Sequence, residues 1–185
     1  MKTSSGETYP WLNAHALRVI DSWKGINDWS GFEYGSGAST FWWAKRCRRV
    51  ISVESVDRFY QKMVLKLTTF KNVEYRLREL IVCKDCKYVQ SINEDDKCYD
   101  LIIIDGRNRV LCSYEVAKHL KPNTVVIFDN TDRPDYDEGV ALFDKKLLPL
   151  GYAKFKSPHT GNKKDVDLWW ETIIWMPKGF SYDEA

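Results

Sequence analysis

A chain of 185 residues with 28 basic and 26 acidic side chains has room for one sizeable core and little more. Its formal net charge of +2 does not supply the broad positive field of a protein that binds nucleic acid through phosphates, so small molecules are the expected partners. Residues 1–9 are polar and lack a signal-peptide core, and no later apolar run approaches the roughly 18–20 residues that span a bilayer; a soluble, cytoplasmic protein is expected. Five cysteines, an odd number, favour reduced thiols over a disulfide framework, and the Cys83-x-x-Cys86 pair lacks the second pair that a zinc ribbon needs.

In chain order, the spacing of Leu12, Ala16, Leu17, Ile20 and Trp23 predicts an amphipathic helix over 11–23. After turn signals at Gly25, Asn27 and Gly31, strands are predicted over 31–34, 50–54 and 73–77, with helices over 39–46 and 56–68 between them. The stretch 78–97 has no clear period and reads as a short helix between loops. A strand over 101–104 runs unbroken into Asp105, followed by a helix over about 110–120 that Pro122 helps to end, a strand over 125–128 and a helix over about 138–148. The runs 152–155 and 172–175 alternate enough to close as an antiparallel hairpin across the loop 156–170. Strand, helix, strand in succession implies a parallel sheet, so the expectation is one α/β domain over 1–185, with a helical extension over 1–30 and a Rossmann-like core over 31–185.

Glu33-Tyr34-Gly35-Ser36-Gly37 sits where the first strand must turn into a helix, and glycines there let the backbone approach a ligand closely. Glu54 ends the second strand about twenty residues later, where a carboxylate accepts hydrogen bonds from the hydroxyls of an adenosine ribose. The two signals in order and spacing predict a nucleotide-type site involving Glu33, Tyr34, Gly35, Ser36, Gly37, Ser39, Thr40, Glu54, Ser55 and Asp105. A dinucleotide site places a third glycine where Thr40 stands, which counts against a nicotinamide-dependent oxidoreductase.

With these residues the sequence resembles the class I S-adenosylmethionine-dependent methyltransferases, whose first motif is an acidic residue followed by Gly-x-Gly, matched by Glu33, Gly35 and Gly37. The stretch 35–40, then Val53-Glu54, Ile104-Asp105-Gly106-Arg107 and Asp129-Asn130, is similar to a poorly characterised small-molecule branch of that superfamily. The resemblance implies a mostly parallel sheet of about seven strands with an antiparallel end, helices on both faces, and S-adenosylmethionine as cofactor. A partial resemblance to catechol-type, metal-dependent O-methyltransferases rests on Asp105, Asp129 and Asn130, which would form a hard oxygen shell for Mg²⁺. That family has a lysine where Asn108 stands here, and the flanking Arg107 and Arg109 cannot act as bases.

The catalytic candidates are Asp129, Asp105 and His159, the last on the loop between the final strands. The expected reaction is methyl transfer to an oxygen nucleophile of a small-molecule acceptor, with a catalytically silent cofactor-binding module as the alternative. No nucleic acid or membrane partner is expected, and a homo-oligomer is compatible with the chain. Segments 88–94 and 156–170 are expected to shape specificity. Trp42, Trp43, Trp169, Trp170 and Trp175 are candidates to border the crevice, and Arg133, Asp135 and Tyr136 to meet the acceptor.

Overall fold

The computed structural model describes residues 10–81, 83–95, 98–165 and 168–180. It opens with helix α1 (Ala14–Asp21), shorter than the apolar spacing predicts because the Asn13 side chain caps it, accepting from the His15 amide at 2.9 Å. The alternating units follow as β1 (Ser30–Tyr34), α2 (Ala38–Ala44), β2 (Arg49–Glu54), α3 (Asp57–Leu67) and β3 (Val73–Leu77). The short helix expected within 78–97 is the one-turn helix α4 (Lys87–Gln90), after which come β4 (Leu101–Ile104), α5 (Arg109–Val116), β5 (Val125–Asp129) and α6 (Asp137–Leu147). Helix α5 ends before residue 120 because the Lys118 and His119 amides bond three residues back, to Glu115 and Val116, tightening the last turn. The chain closes with β6 (Ala153–Lys156) and β7 (Thr172–Met176).

Seven strands form one sheet in the order β3-β2-β1-β4-β5-β7-β6. The first five are parallel, and β7 runs antiparallel between β5 and β6. Strand period two divides the apolar side chains between two faces. Leu101, Ile103, Val125, Ile127 and Ile174 pack with α1 and α2; Ile102, Ile104, Val126, Phe128 and Trp175 pack with α4, α5 and α6. This double cover explains why β4 and β5 read as unbroken apolar runs. Helix α3 covers an edge only, burying Leu67 and leaving Phe59 and Leu65 exposed. Among the described residues, no helix is long and apolar enough to cross a membrane.

The order reverses between β1 and β4, the switch point at which open α/β sheets leave a crevice beyond their carboxyl ends. Two backbone turns meet there. Gly35, at φ +89°, would place a Cβ 2.6 Å from the Gly106 Cα, and a Cβ on Gly106 would stand 1.8 Å from the Tyr88 hydroxyl. Tyr88, Val89 and Ile92 are buried in the core, so the stretch 88–94, expected to shape specificity, instead supports the crevice floor. The reason is local: Tyr88 fills the space beneath the Gly35–Gly106 contact, and its hydroxyl accepts from the Arg107 amide at 3.3 Å.

Candidate active site

Glu33 and Tyr34 point to opposite faces because they are neighbours on a strand. Tyr34 enters the α4–α5 side, where its hydroxyl donates to the Val89 carbonyl at 2.7 Å. Glu33, wholly buried, lies beneath α2; its Oε2 accepts from Thr40 and Ser52 hydroxyls, both at 2.6 Å. Thr40 in turn accepts from the Gly37 amide at 3.1 Å, so Glu33 sets the loop from below and does not face the crevice. Burial pushes its carboxyl up to about 7, against the opposing hydrogen bonds of Ser39, Ser52 and Thr40. An acid whose folded value exceeds its unfolded one loses stability as pH rises between them. Glu33→Gln is therefore expected to gain stability relative to the parent from about pH 4.5 to pH 7, reaching roughly 3 kcal/mol, in urea melts at stepped pH. A flat difference across that range would contradict the burial argument.

Glu54 closes β2 with both oxygens directed at the loops around it. Oε1 accepts from the Ser55 and Val56 amides at 2.7 and 2.8 Å, and Oε2 from the Ser36 hydroxyl at 2.7 Å. The Tyr75 hydroxyl lies 2.7 Å from that of Ser36 and extends the chain. The two amides fill Oε1, whereas Oε2 has beyond the Ser36 hydroxyl only a long contact from the Ser36 amide at 3.4 Å, so Oε2 is the oxygen with room to accept from a ligand hydroxyl. A Cβ at Gly37 would meet no atom within 4 Å, so the loop faces open space. Next to Glu54, Ser55, Asp57, Leu77, Arg78, Glu79 and Lys87 line a cavity of about 560 Å³. A larger cavity of about 910 Å³, lined by Arg48, Arg49, Lys71 and Lys121 among others, lies at the opposite end of the strands and away from these groups.

Across the switch point, Asp105 follows the last residue of β4 and Asp129 ends β5, and the two carboxyls act on each other. Burial raises the Asp105 carboxyl despite the counter-pull of Arg109; burial and the Asp105 charge push Asp129 well up. The two therefore titrate as a pair. Asp129 Oδ1 also accepts from the Thr172 hydroxyl at 2.5 Å, a partner supplied by the antiparallel strand in register with it. Asn108 and Asn130, which follow these strand ends, both adopt left-handed backbone, with φ of 48° and 56°. Such conformations in non-glycine residues gather where function constrains a turn.

Mg²⁺ was expected on Asp105, Asp129 and Asn130. The buried Arg109 guanidinium intervenes, donating to Asp105 Oδ1 at 3.0 Å and to the Asp129 carbonyl. Among the described residues, no group of three or more His, Cys, Asp or Glu side chains could hold an ion. The residues present do not fit the metal, because a fixed positive charge already holds Asp105 Oδ1 and the backbone of both strand ends.

His159 lies on the rim, its Nε2 3.6 Å from Glu171 Oε2, with Lys156 Nζ closer at 2.9 Å. Glu171 is buried and accepts from the Thr131 hydroxyl at 2.8 Å. Asn13 ties α1 to this loop, its side-chain amide donating to the carbonyls of Pro158 and Trp170 at 2.9 and 2.8 Å. Trp42, Trp43 and Trp175, candidates for the crevice border, are core residues; Trp169 and Trp170 are half-buried in the 156–170 loop. Arg133 is exposed over Tyr136, 5.9 Å from its ring centre, and Asp135 is exposed. All five cysteines are free thiols; Cys86 is buried, its sulfur accepting from the Val89 amide.

No family model and no curated protein matches the chain. Solved structures do. It is similar to the precorrin-6y C5,15-methyltransferase of Geobacter metallireducens, with 14% identity, a TM-score of 0.60, and 95% of this chain and 97% of that one covered. The N-methyltransferase NodS of Bradyrhizobium japonicum, solved with S-adenosylhomocysteine, is 13% identical with a TM-score of 0.52 over 79% of this chain and 75% of its own. An rRNA methylase of Streptococcus thermophilus is 10% identical with a TM-score of 0.58, covering 89% and 93%. At such identities the likeness is one of architecture. The strand order, the antiparallel β5-β7-β6 end and these neighbours together give the chain the Rossmann-like class I fold of the S-adenosylmethionine-dependent methyltransferases.

Proposed function

We propose that the protein transfers a methyl group from S-adenosylmethionine to an oxygen nucleophile of a small-molecule acceptor, releasing S-adenosylhomocysteine. The observation that carries this reading is the Glu54 carboxylate, aimed across the open Gly35–Gly37 loop at the switch point. The carboxylate holds the ribose hydroxyls, and the Gly35, Ser36 and Gly37 backbone lines the bound cofactor. When bound, the cofactor supplies a methyl group on a sulfonium, which is already a good leaving group. What remains for the chain is to position the acceptor and remove its proton, and positioning alone can contribute roughly 7–11 kcal/mol.

Asp129 receives that proton. Its raised, paired state suits a base facing a weakly acidic hydroxyl, since proton transfer gains as the two affinities approach each other. Thr172 fixes the orientation of its carboxyl, and Arg109 anchors its backbone carbonyl. His159, bordered by Glu171 and Lys156, is a second candidate to meet the acceptor. The structural neighbours are named as a precorrin-6y, an rRNA and an N-methyltransferase, and the small-acceptor assignment here rests on the near-neutral charge of this chain.

Thermal melts with added ligand test the reading. S-adenosylhomocysteine is expected to raise the melting temperature by several degrees and NADH to leave it unchanged. Stabilisation by NADH alone would replace the methyltransferase with an oxidoreductase.

A further inference from the structure

Arg109 uses its whole donor fork inside the crevice. Nε donates to the Gly106 carbonyl at 2.9 Å, Nη1 to the Asp129 carbonyl, and Nη2 to both the carbonyl and Oδ1 of Asp105 at 3.0 Å each. One guanidinium therefore ties the end of β4 to the end of β5. The Tyr136 ring flanks it, 5.2 Å from ring centre to guanidinium carbon. The residue is only 6% exposed, so it is a fixture of the site and not a solvated surface cation.

Guanidinium stays protonated at any working pH, and its planar fork suits several fixed acceptors at once. A hard divalent ion needs oxygen ligands at roughly 2.0–2.6 Å. Bound to Asp105 Oδ1, such an ion would sit against a cation already bonded to that same oxygen. In a buried crevice two like charges this close repel strongly, and the guanidinium cannot neutralise itself by losing a proton.

We infer that Arg109 is the resident cation of this crevice. It occupies the place between the β4 and β5 ends that a divalent ion would need, and it holds the Asp105 carboxylate and the Asp129 backbone together without bound metal. Arg109 is a positioning residue: it acts on the acceptor through the two aspartates. The inference deepens the methyl-transfer reading, but its test needs no turnover.

The test is Mn²⁺ titration followed by water-proton relaxation, with melting temperatures in millimolar Mn²⁺ and in chelator, on the full chain. The parent protein is expected to bind no Mn²⁺ in an Asp105-dependent manner and to melt at the same temperature in both media. Arg109→Met is expected to melt lower and to be raised by several degrees in Mn²⁺, an effect that Asp105→Asn removes. Arg109→Lys keeps a charge in place and is expected to ignore Mn²⁺, which separates a cation's role from simple packing. Parent protein that binds Mn²⁺ at submillimolar concentration, with binding lost in Asp105→Asn, would overturn the inference. So would a folded Arg109→Met that shows no Mn²⁺ response. If Arg109→Met does not fold, the parent and Asp105→Asn titrations decide alone. S-adenosylhomocysteine binding measured on the same samples reports separately on the methyltransferase reading, so the two failures are distinguishable.

Discussion

Gly106→Ala is expected to destabilise the fold by about 4 kcal/mol, a large share of the roughly 5–15 kcal/mol that holds a domain of this size. The added methyl would stand 1.8 Å from the Tyr88 hydroxyl, 2.8 Å from the Gly35 nitrogen and 3.0 Å from the Tyr34 carbonyl carbon. None of these can retreat cheaply. Tyr88 is buried against Tyr34, with ring centres 5.5 Å apart, and its hydroxyl accepts from the Arg107 amide. The other two atoms are backbone. Gly37→Ala is the matched control, since its Cβ would meet nothing within 4 Å, and a change of no more than about 0.5 kcal/mol is expected there. Tyr88→Phe combined with Gly106→Ala should recover part of the loss and leave the backbone clash in place. Urea denaturation of the four proteins checks this; Gly106→Ala within about 1 kcal/mol of the parent would mean that the two loops do not meet as described.

The second large effect falls on turnover. Asp129→Asn is expected to lower the methyl-transfer rate constant by about 10²–10⁴-fold while changing S-adenosylhomocysteine affinity little. Asparagine keeps an oxygen for the Thr172 hydroxyl and can donate to Asp105, so the geometry survives and only the exchangeable proton is lost. The variant should also lose the acid limb of the pH-rate profile that the paired carboxyls give the parent. Its stability should move the other way. A buried acid held above its unfolded value costs stability as pH rises through that window, and the neutral amide relieves the cost at neutral pH. Single-turnover kinetics beside calorimetric binding separates the two effects; loss of cofactor binding with an unchanged rate constant would remove Asp129 from the proton-transfer role.

Much of this architecture was legible in the sequence because β4 and β5 are buried on both faces and carry uninterrupted apolar runs. The strand ends of the site followed from that, since Glu54 and Asp129 close their strands and Asp105 is the residue after β4. The stretch 78–97 gave only a short helix without bounds, for an equally physical reason. Its helical elements span four residues each, too few to show a period, and ion pairs hold it: Arg76 with Glu74, Glu94 and Asp95, and Arg78 with Glu94. Glu33 read as a cofactor residue because the motif names it, but strand alternation turns it under α2. Thr172 and Glu171 were missed because their role depends on the register of an antiparallel strand more than forty residues from its partner. Arg109 was visible only as a residue flanking Asn108; the donor fork that it spreads over the β4 and β5 ends belongs to the folded loops alone.

The most direct test of the account is calorimetric titration of the purified protein with S-adenosylhomocysteine, beside Gly37→Arg. The open space at Gly37 lets the arginine enter the proposed pocket without disturbing the fold, so the variant should melt like the parent and release no binding heat, whereas the parent binds one equivalent. Equal binding by both proteins would move the cofactor away from the Gly35–Gly37 loop, and no binding by the parent would contradict the methyltransferase reading itself.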